Sequence, residues 1–439
     1  MRDLTLVAAR LLVPTAEQRQ LAAAAATAFA RSNPDATRTG LSSTDPASTD
    51  PASTDPAPSG DAGTGEGPDA GSVGGFDRAR WAELAGTDLL GAAVPEDRGG
   101  LGLSVPDLVV LTEQAGRALL PGPVVETIWV TAPALAALGR RWAPALAAML
   151  RADLVGSAVD GTLRGPDLDV ASYVVVPGGG ADRLFGADGI GGVARVPTQD
   201  RAERSFRLTG IGATHHRAAP AATGTAGPDG DGVTGTPGLD GDGTPGLDGD
   251  GVTGLDGGSV TGPDGGALST RQVLPLVDGL GALDRGRLGA AAYLLGVADG
   301  LLAQGVGYAR LREQFGQPIG AFQAVRHRLV DAYVELEFAR SAVWSAACDV
   351  ATGDPAAPVA ITCASVAAKR AFAEVDRHCL QVHGGIGFTW EHPLHGWLKR
   401  GATFAGRYGL RRDLETDLGE LLLAEVAGRP PGQPPRPHI

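Results

Sequence analysis

Arg312-Glu313-Gln314-Phe315-Gly316-Gln317-Pro318 puts a permanently charged guanidinium where a long Leu/Ala-rich helical run must stop, beside a Gly and a Pro that force a sharp turn. A guanidinium fixed there can grip a phosphate through two parallel N–H donors. Phe315 and Phe322 flank it with flat apolar surface, and Gln323 adds an amide. The plainer role for such an arginine is a cap favoured by the helix dipole. A second motif, Gln381-Val382-His383-Gly384-Gly385-Ile386-Gly387-Phe388, closes another helical run. Its glycines let backbone approach a ligand closely and offer peptide N–H donors, although Gly pairs also simply end helices.

These motifs need rigid elements to carry them. Leu288, Leu294, Leu295, Leu301, Leu302, Val306 and Leu311 recur at helical spacing ahead of Arg312. Phe322 to Val350 and Val359 to Leu380 repeat the pattern, divided by Gly353-Asp354-Pro355. Short connections make successive helices antiparallel neighbours, so residues 283–428 read as a four-helix bundle with the two motifs in its loops. Upstream, residues 76–154 read as an α-helical domain and 155–282 as a small β-domain, with strands expected at Val170–Val176, Ile190–Val196 and Ser205–Thr209. Residues 1–32 hold an Ala-rich helix, giving an α+β, mostly α chain.

Three stretches are expected not to pack: 33–75 with its Ser-Thr-Asp-Pro-Ala units, 221–267 within the β-domain, and the Pro-rich tail 429–439. With so few large apolar residues they cannot offset an ordering cost of about 1–2 kcal/mol per residue. The Asp/Gly spacing of 221–267 is close to that of calcium-binding repeats, but its irregular units read as a solvated linker.

A net charge of −13 gives no basic patch for nucleic acid or an anionic membrane. No uncharged apolar run reaches the roughly 18 residues of a membrane span, and the expected location is the cytoplasm. Cys348, Cys363 and Cys379 lack metal-site spacing, so no metal is expected.

Taken together, R-x-x-F-G-x-P-I-x-x-F-Q, two long helices, and Q-V-H-G-G-x-G-F-x-x-E-x-P resemble the C-terminal domain of the acyl-CoA dehydrogenase family. The loop Val94-Pro95-Glu96-Asp97-Arg98-Gly99-Gly100-Leu101-Gly102 is similar to that family's V-P-E-x-x-G-G-x-G. The resemblance implies α,β-desaturation of an acyl-CoA, FAD as cofactor, an electron-transfer flavoprotein as acceptor, and assembly as dimers or tetramers. By it, Arg312 binds the FAD pyrophosphate across a subunit interface, with Glu313, Gln314 and Phe315 beside it. Phe322 and Gln323 line the same cofactor, and Gln381, Val382, His383, Gly384 and Gly385 receive the adenosine end.

The chain departs from the family at its base, a Glu found at one of two places. Here Tyr408 and Gly286 stand there, and the nearest acid is Asp284. Glu391 matches an acid of the Gly loop and reads as structural. The middle domain also lacks the family's flavin-ring motif. General acid–base assistance is worth about 10²–10⁴ in rate. The resemblance thus implies the base-lacking partner of a heteromeric enzyme, as in steroid side-chain CoA dehydrogenases of actinobacteria. The alternatives are a self-sufficient dehydrogenase using Asp284 or another unrecognised acid, and an inactive helical scaffold.

Overall fold

The computed structural model describes residues 14–32, 76–178, 181–200, 202–211, 259–261, 267–269, 271–389 and 392–426. Residues 33–75 and 429–439, most of 221–267, and Glu391 lie outside the described residues.

The N-terminal region is helical. Helix α1 (Ala16–Ser32) inserts Ala25 and Phe29 into the core. Helix α2 (Arg78–Ala85) is capped by Asp77, whose carboxylate accepts the Arg80 N–H. Ser104 caps α3 (Val105–Arg117), with Pro106 in the first turn, where its missing N–H costs nothing. The apolar run that follows opens as a π-helical segment, Glu126–Thr131, continues as α4 (Ala132–Ala137), and is followed by α5 (Ala143–Leu150).

Two small sheets form the middle region. The first orders β1 (Gly156–Ala158), β3 (Tyr173–Val176), β4 (Arg183–Gly186) and β9 (Arg271–Val273), with β1 and β3 parallel. The second orders β2 (Arg164–Pro166), β6 (Ser205–Ile211) and β5 (Ile190–Val196), all antiparallel. Val174, Val176 and Phe185 from the first meet Phe206 and Leu208 from the second in a separate small core. The strand expected from Val170 begins only at Tyr173. Part of the stretch expected to be unpacked is strand: β7 (Ser259–Thr261) pairs with β8 (Ala267–Ser269).

The C-terminal bundle comprises α6 (Ala282–Leu311), α7 (Gln323–Thr352), α8 (Ala357–His383), α9 (Leu394–Gly406) and α10 (Arg411–Val426). Helix α6 is its centre. It is the one described helix long and apolar enough to cross a membrane, but 83% of its apolar window is buried inside the fold. Glycines let α3 cross it closely: a Cβ on Gly296 would run into the Glu113 carbonyl, and one on Gly116 into that of Tyr293. The N-terminal region is thereby locked onto the helix that ends at Arg312.

Candidate functional site

Helix α6 stops where Arg312 turns extended, its N–H still donating to the Tyr308 carbonyl at 2.8 Å. The chain then makes a two-residue hairpin, β10 (Glu313–Gln314) against β11 (Gln317–Pro318). Its tip residues Phe315 and Gly316 have φ of +55° and +78°, the pair of positive values that a tight right-twisted hairpin needs. Phe315 is 94% exposed and meets Phe322 edge to face, with ring centroids 6.0 Å apart. Glu313, Gln314 and Gln323 are exposed as well. Among the described residues no carboxylate pairs with Arg312.

The glycine corner follows α8. Gly384 takes φ +62° and begins a 3₁₀ turn, Gly384–Phe388. Val382 and His383 are buried, so their side chains face the fold, while Gln381 and Gly385 are exposed. The His383 ring stacks on Tyr308 at 4.5 Å, and its Nδ1 donates to the Cys379 carbonyl at 2.7 Å. Burial brings His383 down to about 4, so the ring is neutral. Because Tyr308 also accepts the Arg312 N–H, one residue links the two motifs. The structure thus brings the arginine end and the glycine corner to one edge of the bundle.

The two positions where the resemblance places a catalytic Glu also meet. Gly286 lies under Tyr408, and a Cβ there would collide with the phenol ring. Tyr408 is 2% exposed and sits at φ +54°, followed by Gly409 at φ +110°. Three hydrogen bonds from two side chains hold this bend: Lys369 Nζ reaches the carbonyls of Ala405 (3.0 Å) and Arg407 (2.8 Å), and Arg287 reaches that of Tyr408 (3.3 Å). Burial brings Lys369 down to about 8. Asp284 lies in the first turn of α6 and pairs with Arg287 at 3.3 Å.

A carboxylate reaches this place from an unexpected direction. Glu126, 1% exposed, accepts the Tyr408 hydroxyl at 3.3 Å and Arg407 at 3.0 Å. Arg407 also pairs with Glu203, and Arg400 with Asp200. Three buried carboxylates therefore share two guanidiniums, drawn from all three regions of the chain. Burial pushes the Glu126 carboxyl up against the opposing pull of Arg407, and its Oε2 has no hydrogen-bond partner. Burial and the nearby Glu126 hold the Tyr408 phenol well above its usual range. A neutral phenol there cannot take a proton.

The small residues of α6 let aromatic rings pack closely beside this cluster. A Cβ on Gly289 would lie 2.6 Å from the Trp129 ring, which is itself fully buried and donates to Thr112 at 2.8 Å. Tyr293 stacks on Phe404 at 3.9 Å and accepts Arg400 at 2.7 Å. Volume that α6 gives up is taken by Trp129 and Tyr408.

The glycine corner has room for the tail of a dinucleotide. At the tail end, a Cβ built on Gly384 or Gly385 would meet no heavy atom within 4 Å, so that backbone stands open. A cavity of about 340 Å³ lies between the second sheet and α9, lined by Asp160, Arg164, Ser205, Lys399, Thr403 and Arg407. Its β1–β2 connection turns its donors inward: Asp160 Oδ1 accepts Thr162 N (2.8 Å), Thr162 Oγ1 (2.7 Å) and Arg164 N (3.1 Å). These three donors are thus used within the loop itself.

Comparison with known proteins gives a consistent picture. Residues 69–149 match the family model of the acyl-CoA dehydrogenase N-terminal domain, and residues 279–405 that of the C-terminal domain. Acyl-CoA dehydrogenase IpdE2 of Mycobacterium tuberculosis is 30% identical over 329 residues, covering 74% of this chain and 81% of the relative. Acyl-CoA dehydrogenase FadE34 of the same organism is 33% identical over 374 residues, 81% of this chain but only 45% of FadE34. This chain therefore spans less than half of that relative's length. Among solved structures, a variant of the Tcur3481-Tcur3483 steroid ACAD superposes with a TM-score of 0.63 at 23% identity, covering 94% of this chain and 99% of that one. The ChsE4-ChsE5 complex from Mycobacterium tuberculosis gives 0.62 at 21%, covering 95% and 99%. At such identities the likeness shows the fold.

Proposed function

This chain belongs to the acyl-CoA dehydrogenase family of flavin-dependent oxidoreductases, and from that premise we propose that it is the base-lacking subunit of a mixed assembly that desaturates an acyl-CoA. The observation that carries this reading is the Tyr408 ring seated against Gly286, which fills the place of the family's base with a group that cannot accept a proton.

In this reading the chain lends its exposed corner to a partner's cofactor. Arg312 would hold the pyrophosphate of FAD, Phe322 and Gln323 would line it, and the open Gly384–Gly385 backbone with Gln381 would receive the adenosine end. The bound cofactor supplies the hydride acceptor, and the partner's carboxylate removes the α-proton. An electron-transfer flavoprotein is the acceptor that the family resemblance implies. Assembly has a surface ready: Val330, Val334 and Phe338 form an exposed stripe at four-residue spacing along α7. The name of one structural neighbour, a steroid ACAD, supports a steroid side-chain or other lipid CoA thioester as substrate.

One observation favours a second reading, in which the chain carries its own base. Glu126 is a buried carboxyl with a raised pKa at the right place, as a tuned general base requires. Tyr408 stands in its way, and Glu126 would reach a substrate only if that ring moved aside. Purification alone and with an adjacently encoded family member that keeps the Glu separates the readings. The first expects flavin absorbance and turnover only from the pair. Stoichiometric FAD and turnover in the lone chain would overturn it.

A further inference from the structure

Backbone contacts fix the tautomers of two histidines beside the glycine corner. His383 Nδ1 faces the Cys379 carbonyl, which can only accept, so Nδ1 carries the proton and Nε2 a lone pair. At His392 the direction is reversed. Leu394 N donates to its Nδ1 at 3.2 Å, so that atom holds the lone pair and the ring proton sits on Nε2. Both rings belong to one cluster. Tyr308 of α6 stacks on His383 and meets His392 edge to face at 6.1 Å, and the two imidazoles lie 4.8 Å apart with planes at 69°. The Nε2 atom of His383 is buried and has no hydrogen-bond partner.

His392 thereby caps a helix. Leu394 is the first residue of α9, and its N–H is one of the donors that a helix start leaves open. Its side chain is fully buried. A Cβ on Gly387 would meet both His383 (3.0 Å) and Leu394 (3.4 Å), so the 3₁₀ turn Gly384–Phe388 is wedged between the two. A second proton on His392 would set N–H against N–H at Nδ1 and place a cation at the positive end of the α9 dipole. Tyr308 faces the ring from α6, His383 from α8 and His395 from α9, and none of these is a carboxylate that could offset the charge.

From this arrangement we propose that His392 is an acid-sensitive latch: neutral, it holds the glycine corner closed on the start of α9, and protonated, it lets the Gly384–Phe388 turn and that helix start open. Burial, and then the neighbouring His395, hold His392 below its ordinary 6.5, so the latch is at full strength above 6.5 and weakens as pH falls below it. The device stands on the packing of the corner and does not depend on what the corner binds.

The test is amide hydrogen exchange of the full chain, read by mass spectrometry on peptides covering the turn and the start of α9 and corrected for the intrinsic pH dependence of exchange. Between about pH 7.5 and about pH 5.5 opening should grow by up to about tenfold, the limit for one proton taken up by a group of ordinary value 6.5. His392→Asn keeps an acceptor for the Leu394 N–H but cannot be protonated, so the corner should stay closed throughout. His395→Gln leaves the latch in place but removes a charge that opposes its protonation in the closed state, so the growth should shrink without vanishing. Opening that is independent of pH in the wild type overturns the proposal, as does growth of the same size in His392→Asn. So does equal growth in peptides from the middle of α7, which would report unfolding of the whole bundle.

Discussion

Arg407 grips Glu126 at 3.0 Å and so joins the last bend of the bundle to the first turn of a helical run 281 positions earlier. Beside that bond the Tyr408 ring packs on Gly286 and its hydroxyl donates to the same Glu126 carboxylate.

The fit of Tyr408 to Gly286 should appear in a double-mutant cycle. Gly286→Ala overpacks the notch and should cost about 1–3 kcal/mol, while Tyr408→Ala leaves a void costing about 3–5 kcal/mol. Combining them should cost less than the sum, because the added methyl enters the vacated space. Additive losses in urea unfolding would mean the two residues do not touch as described.

Glu126→Gln distinguishes a structural acid from a chemical one. Removing one member of a buried ion cluster should lower stability by about 3–5 kcal/mol, yet turnover of the assembled enzyme should change only severalfold. A fall of 10²-fold or more, within the range of a lost general base, would support the second reading.

Asp167 gives a pH signature. Burial outweighs its contact with Arg204 and raises its carboxyl from 3.8 to about 7. Between those values the unfolded chain has released this proton and the folded one has kept it. Its contribution to stability therefore falls as pH rises from about 4 to 7 and is level above, a change of about 4 kcal/mol at 1.36 kcal/mol per unit. His383, brought down to about 4, contributes the opposite slope below 6.5. Asp167→Asn isolates the first effect: its stability relative to wild type should climb across that window, and a pH-independent offset would refute the assignment.

Arg312→Lys and Arg312→Gln should both strip FAD from the assembled enzyme while leaving unfolding midpoints within a degree or two of wild type. Lysine is no substitute where two parallel donors are needed. The side chain is exposed, and among the described residues only its backbone is hydrogen-bonded. Flavin absorbance per protein in gel-filtered complexes reads the outcome, and full retention in the lysine variant would argue against bidentate binding.

Phe338→Glu on α7 should reduce the assembled mass measured by light scattering without unfolding the subunit, because that side chain is 71% exposed. An unchanged mass would move the interface elsewhere.

The sequence was most informative where a motif is local. Arg312 and the glycine corner are each set by a few consecutive residues at a helix end, and both stand where the spacing indicated. Glu126 was missed because nothing near it in sequence completes it: its partners are Arg407 and Tyr408, across the fold. A signal existed, since Glu126 is the sole charge between Pro123 and Gly139. A lone acid in an apolar helix must be paired or protonated. The small residues Gly289 to Ala292 do not by themselves distinguish an empty space from one filled by a distant Trp129. Strands β1, β2 and β4 escaped notice because three or four residues carry too little alternation to register.

The hairpin tip at Phe315 and Gly316 is already folded in the isolated chain, held by its own cross-strand pairing. Docking it into a neighbour would not require freezing a loose loop, so little entropy opposes the contact. Such a peg favours partners whose recess is equally rigid, and gives subunit exchange a selectivity of shape that a pliable arm would lack.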